Sequence, residues 1–134
     1  MIEIVAIDHI VLRTSKLEQM LAFYCDVLGC VIERETPDEI GLTQLRAGNA
    51  LIDVVSVNSE LGKLGGAAPS STGNNMDHFC LQLKPITDAK LAAYLIKCGV
   101  KEEDFDRRYG AQGYGNSIYI KDPEGNTVEL RSQL

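Results

Sequence analysis

The two histidines of the chain, His9 and His78, each follow an aspartate and each open an apolar run. Asp8-His9-Ile10-Val11-Leu12-Arg13 and Asp77-His78-Phe79-Cys80-Leu81-Gln82 read as the same strand used twice. Further along each half stands a carboxylate in apolar company: Asp53 in Leu51-Ile52-Asp53-Val54-Val55, and Glu129 in Thr127-Val128-Glu129-Leu130. Two imidazoles and two carboxylates form a mixed donor set that suits a divalent metal such as Ni, Zn, Mn, Fe or Co. Because the spacing is non-local, the repetition carries the reading. Either histidine alone reads more readily as a satisfied interior residue, but packing gives no reason for it to recur at the same place in both halves. Asp53 is the more telling acid, since its strand is apolar on both sides and a buried carboxylate needs a partner. A metal, Arg13 or Arg46 would serve. Glu129 has a blander alternative: with Thr127 and Arg131 it could form the wet face of a terminal strand.

Each His-bearing run is followed by a helical pattern and a glycine, Gly29 lying 20 residues after His9 and Gly99 lying 21 after His78. A repeat this long implies duplication inside one domain rather than an array. In the first half, residues 3–13 read as a strand with Ile7, His9, Val11 and Arg13 on one face. Ser15-Lys16-Leu17-Glu18 is a capping-box pattern. The helix it opens carries Leu17, Met20, Leu21, Tyr24, Val27 and Leu28 as an apolar stripe and stops at Gly29. Strands follow over 31–35, 40–46 and 50–57, with a tight turn at Ala47-Gly48-Asn49. Residues 58–75, rich in Gly, Ser, Ala and Pro, read as a linker between repeats, mobile over a pocket. The second half predicts a strand over 76–84 and a helix capped by Thr87 or Asp88, with Leu91, Tyr94, Leu95 and Cys98 inward. Beyond it lie a weak strand over 102–107, a glycine-rich loop over 109–115, a strand over 116–121, a turn at Asp122-Pro123-Glu124-Gly125-Asn126 and a last strand over 127–131. The glycine-rich loop reads as a flexible turn, or as an anion holder acting through its backbone N–H groups. The result is an α+β chain of two β-α-β-β-β modules, about 3–57 and 76–134, within a single domain over 1–134.

Composition narrows the partners. The 134 residues are 45% hydrophobic and 24% charged, as in an ordinary globular protein. A net charge of −6 argues against a general nucleic-acid binder and against attraction to anionic membranes. No apolar run approaches the roughly 20 residues of a membrane span, and Met1-Ile2-Glu3-Ile4 does not open a signal peptide. Cys25, Cys30, Cys80 and Cys98 form no C-x-x-C pair, so they read as reduced thiols of a cytoplasmic protein. Cys25 and Cys98 fall on helices, which suggests packing.

His9, the helix containing Ala22-Phe23-Tyr24, Asp53, His78 and the stretch Ile120-Lys121-Asp122-Pro123-Glu124-Gly125-Asn126-Thr127-Val128-Glu129-Leu130 together resemble the vicinal oxygen chelate superfamily. That superfamily includes glyoxalase I, fosfomycin-resistance thiol transferases, extradiol dioxygenases and bleomycin-resistance proteins. The resemblance implies two βαβββ modules forming a cupped, partly closed mixed sheet around one divalent metal, often in a homodimer. It places His9, His78 and Glu129 at the three common ligand positions. Asp53 falls where glyoxalase I has its fourth ligand, a glutamate one methylene longer, and Arg13 falls where glyoxalase I contacts a glutathione carboxylate. The asparagine expected four residues after the fourth ligand is Val57 here.

The resemblance implies first a lyase or isomerase of the glyoxalase type, acting on a small hydroxy-carbonyl or glutathione adduct. The metal would stabilise an enediolate, and Glu129 or Asp53 would move the proton. A second implication is thiol or water addition of the fosfomycin-resistance type, for which His9, His78 and Glu129 suffice. A third is extradiol ring cleavage, which needs further acid–base histidines that the chain lacks. A fourth is a metal-free, bleomycin-resistance-like module that sequesters a small molecule.

Overall fold

The computed structural model describes residues 1–101 and 103–133. It forms two compact units, Met1–Ser70 and Ser71–Leu134. The first contains β1 (His9–Thr14), α1 (Leu17–Leu21), β2 (Val31–Glu35), β3 (Leu42–Ala47), β4 (Ala50–Ser56) and α2 (Glu60–Lys63). The second contains β5 (Phe79–Leu83), α3 (Asp88–Lys97), β6 (Asp106–Gly110), β7 (Gly113–Lys121) and β8 (Thr127–Ser132). Each unit builds one open four-stranded mixed sheet with the same winding, β1-β4-β3-β2 and β5-β8-β7-β6. The first and last strands of each unit pair in parallel and the remaining pairs are antiparallel. The α+β class and the duplicated β-α-β-β-β order are therefore present in both halves, and the boundary after Ser70 falls within the stretch read as a linker.

Strand alternation sorts the sheets into two faces. In the first unit Leu12, Ile52, Val54 and Leu45 point one way, and all are buried together with Met20, Phe23 and Tyr24 from the helical segment. In the second, Ile118, Ile120, Val128 and Leu130 are buried with Leu91 and Leu95 of α3. Each such side chain contributes about 1.5–3 kcal/mol by leaving water. The opposite faces hold His9 and Asp53 in one unit and Glu129 in the other.

Several boundaries differ from those read from sequence. β1 begins at His9 because its parallel partner β4 begins at Ala50, just after the tight turn, and the ladder starts at His9 against Leu51. Residues 3–8 thus have no strand to pair with. The helix opens at Lys16 without a side-chain cap, where the capping box predicted Ser15. Thr14 Oγ1 instead accepts the Lys16 N–H at 2.8 Å. From Ala22 to Val27 the helix widens into a π-helical segment, and Gly29 closes it in the left-handed conformation at φ 77°. Phe23, outside the predicted stripe, is buried. In α3 the cap is Thr87, whose Oγ1 accepts the Lys90 N–H. Tyr94 and Cys98 are exposed rather than inward, because Leu91 and Leu95 alone face the core.

The weak strand falls later than predicted, at Asp106–Gly110, and Glu102 lies outside the described residues. The glycine-rich stretch is no loop: it is the β6–β7 hairpin, with Tyr109 opposite Tyr114 and Gly110 opposite Gly113. The 58–75 stretch is not uniformly irregular either. Ser59 Oγ accepts the Gly62 N–H at 3.0 Å and caps α2. No helix among the described residues is long and apolar enough to cross a membrane.

Candidate metal centre

The strand registers place His9 and Asp53 on one face of one sheet, and His78 directly precedes the strand that pairs with the one bearing Glu129. In the first unit Asp53 lies between Val11 of β1 and Gln44 of β3. His9 is two residues from Val11, on the same face. In the second unit Glu129 lies between Cys80 of β5 and Tyr119 of β7, with His78 two residues before Cys80. The two half-sites match position for position, Gln44 standing where Tyr119 stands.

Each imidazole is oriented by the aspartate before it. Asp8 Oδ1 is 2.6 Å from His9 Nδ1, and Asp77 Oδ2 is 2.6 Å from His78 Nδ1. A carboxylate accepts, so Nδ1–H donates to the aspartate and Nε2 is the ring nitrogen left facing away from it. That carboxylate–histidine pairing is the one that orients metal-ligating imidazoles. In the second unit Nε2 points to the acid, 3.5 Å from Glu129 Oε1. In the first, the hydrogen bond that His9 donates to Asp8 raises the His9 pKa above its ordinary value; desolvation opposes the rise and the Asp53 charge adds to it.

Both acids are buried, Asp53 at 3% exposure and Glu129 at 6%. The terminal strand is therefore not wet at Glu129, and Arg131 beside it is equally buried. Of the partners considered for Asp53, neither arginine pairs with it. Gln44 Nε2 reaches both its oxygens, at 3.2 and 3.4 Å, while Arg46 forms a two-pronged pair with Glu33. Arg13 shares the His9 face, but its guanidinium donates to the carbonyls of Gly62, Gly66 and Ala67 and so fastens the segment after α2 to β1.

The Asp122–Asn126 turn explains how β8 presents Glu129. Asp122 is buried, and its Oδ1 accepts the N–H groups of Glu124 and Asn126, both at 2.9 Å. Its Oδ2 accepts the Asn126 side-chain N–H at 2.8 Å. These bonds fix the chain reversal that leads directly into β8 at Thr127.

The sequence reading missed Tyr119, Arg108 and Cys80. Tyr119 packs edge-on against His78 with centroids 5.1 Å apart, and the Arg108 guanidinium sits 4.2 Å over its ring. Desolvation, followed by the charge of Glu129, raises the phenol pKa. Desolvation and the neighbouring Glu129 push the Cys80 thiol up to about 12, which keeps it protonated. Their signal was present in strand alternation, once β5, β7 and β8 are aligned on Glu129. All four cysteines are free thiols.

Among the described residues no group of three or more His, Cys, Asp or Glu side chains is gathered closely enough to hold a metal ion. The donor types suit a divalent metal: in each unit an imidazole held by an aspartate shares a sheet face with a buried carboxylate, and in the second His78 Nε2 lies 3.5 Å from Glu129.

Comparison with known proteins agrees with the fold. The chain is 28% identical over 128 residues to Virulence protein STM3117 of Salmonella typhimurium, covering 92% of this chain and 81% of that protein. The crystal structure of STM3117 superposes with a TM-score of 0.73 at 26% identity, covering 99% and 100% of the two chains. Biphenyl-2,3-diol 1,2-dioxygenase 3 of Rhodococcus globerulus is 29% identical over 126 residues, but this chain spans only 60% of its length. Among solved structures, lactoylglutathione lyase of Agrobacterium tumefaciens shares the fold with a TM-score of 0.67 at 23% identity, covering 96% of this chain and 93% of that one. The fosfomycin resistance protein FosX of Listeria monocytogenes shares it at 0.66 and 14%, covering 100% and 96%. Residues 6–130 match one family along nearly the whole chain, both βαβββ units included: the chain belongs to the glyoxalase/bleomycin resistance protein/dioxygenase superfamily.

Proposed function

We propose that the chain is a divalent-metal-dependent lyase or isomerase of the glyoxalase I type, with His9, Asp53, His78 and Glu129 as metal ligands. The observation that carries the proposal is the duplicated half-site, in which an aspartate-held imidazole shares a sheet face with a buried carboxylate. A divalent ion, when bound, supplies Lewis-acid stabilisation of negative charge developing on adjacent substrate oxygens. The chain's own residues do the rest. Glu129, buried yet in reach of His78, takes the proton from one substrate carbon and returns it to the next, Asp53 holding the equivalent position in the other half. Tyr119 and Arg108 wall the Glu129 half-site. Arg13 serves substrate binding through the segment it fastens, since its hydrogen bonds go to that segment's backbone.

A small hydroxy-carbonyl compound or a thiol adduct, glutathione adducts among them, is the substrate class this reading takes. A homodimer in the cytoplasm is the form it takes for the protein, supported by the exposed Val31 and Ile32 on edge strand β2. The test is turnover of the methylglyoxal–glutathione hemithioacetal by protein loaded with Ni, Zn or Mn. Conversion that disappears in Glu129→Gln supports the proposal; none with any of the three metals removes it.

One observation favours a second reading. Gln44 already supplies Asp53 with a hydrogen-bond partner, so His9, His78 and Glu129 could act as a three-ligand set. That is the arrangement for thiol or water addition to an electrophile of the fosfomycin type. Consumption of fosfomycin by metal-loaded protein, unchanged in Asp53→Asn, would select it.

A further inference from the structure

The second unit holds a buried cation that the metal proposal does not use. Arg131 lies two residues beyond Glu129 on the same face of β8 and is only 6% exposed. Its Nη2 donates to the Gly113 carbonyl at 2.9 Å. Its Nη1 is buried without a hydrogen-bond partner among the described residues. A guanidinium taken out of water with an unused donor costs stability, and the surrounding chain is shaped to keep it there. A Cβ on Gly110 would sit 2.1 Å from Nη1, and one on Gly115 would sit 2.9 Å from Nη2. The glycine-rich sequence of the β6–β7 hairpin is thus the space the guanidinium occupies.

Arg131 lines a cleft of about 240 Å³ with Gln82, Gln112, Tyr114, Ser132 and Gln133. None of these five companions is charged. A second cation stands at its edge, the Arg107 guanidinium 4.0 Å over the Tyr114 ring. A cleft with one buried arginine, amide and hydroxyl groups around it, and no acid in its lining is built for an anion. Glu129 two residues away and the net charge of −6 weigh against a second negative charge on the ligand. A planar monoanion that can take two parallel N–H donors meets both conditions.

We propose that Arg131 and its cleft bind the carboxylate of a small carboxylate-bearing substrate, beside the Glu129 half-site. The inference deepens the proposed function by naming its substrate class, and rests on that reading only for the role of Glu129.

The test uses metal-free full-length protein, so it does not depend on the metal proposal. The arginine side-chain N–H signals and the Gly110 and Gly113 amides are followed by NMR during titration with benzoate, benzamide or phenylphosphonate. Benzoate is expected to shift the Arg131 signal saturably, benzamide to leave it in place, and phenylphosphonate to bind more weakly. Arg131→Lys, which keeps the charge but loses the fork, is expected to weaken benzoate roughly tenfold or more, and Arg46→Gln in the other unit to change nothing. No benzoate shift overturns the proposal, as does an equal benzamide shift or tighter phenylphosphonate binding. Because the wild-type titrations decide between these outcomes, a variant that fails to fold does not blunt the test. Benzoate binding without hemithioacetal turnover would keep this inference and remove the glyoxalase one; turnover without benzoate binding would do the reverse.

Discussion

His78 Nε2 stands 3.5 Å from Glu129 Oε1 while its Nδ1 is held 2.6 Å from Asp77, so one imidazole joins an exposed carboxylate to a buried one. The sheet register explains the meeting, because β5 lies parallel beside β8 with Cys80 opposite Glu129. The same logic sets His9 near Asp53 through β1 and β4.

If the exposed aspartates orient metal ligands, removing them weakens metal binding without unfolding the chain. Partners of this kind are worth roughly 10–100-fold in affinity, and solvent around Asp8 and Asp77 places these two at the lower end. Asp77→Asn and Asp8→Asn should each bind zinc about tenfold more weakly in competition with a chromophoric chelator. Unchanged affinity would make the pairings incidental.

The Asp8 hydrogen bond also sets a pH dependence. Because it raises the His9 pKa, the stabilisation of the charged ring is fully present below the ordinary value of 6.5 and is lost as pH rises through the folded-state value. Asp8→Asn should lower the His9 pKa in an NMR titration of the ring Cε1–H, leaving His78 unmoved. Identical wild-type and variant curves would show that Asp8 does not hold the ring.

Arg13 makes a structural prediction. Arg13→Ala removes the bonds to Gly62, Gly66 and Ala67 and leaves the Gly62 carbonyl with only the Gly65 N–H, a cost of about 1 kcal/mol. Faster hydrogen exchange over residues 60–67 is expected, with the second unit unaffected. Gly65→Ala should mimic it, since its Cβ would lie 2.3 Å from Arg13 Nε.

Cys30 supplies an alkaline signature. Burial, with a smaller contribution from Cys25, pushes its thiol from the ordinary 9.0 up to about 11. The folded state therefore holds a proton that the unfolded chain releases, and stability falls as pH rises from about 9 to about 11. Cys30→Ala should flatten that part of the stability–pH curve. A wild-type curve already flat there would contradict the burial argument.

Much of this was legible in the residues. The duplicated Asp-His run, the helix and glycine after it and the acid in the last strand are local patterns, and they gave the β-α-β-β-β order. What escaped depends on long-range pairing. Nothing in residues 3–8 says that β4 starts too late to pair with them. The π-helical widening at Ala22–Val27 has no periodic signal of its own. Tyr109 to Gly115 looked like a loop because three glycines in seven residues usually are one. Their reason lies in Arg131, 16 residues beyond Gly115, whose guanidinium needs the missing Cβ atoms. Arg13 looked like a ligand-facing cation because the backbone carbonyls it serves lie about 50 residues away.

The most direct test is metal stoichiometry. Demetallated protein is incubated with Ni, Zn or Mn and desalted, and the metal is counted beside His9→Ala and His78→Ala. The account predicts about one retained metal per chain, lost in both variants. Retention of no metal by the wild type, or undiminished retention by either variant, would contradict it.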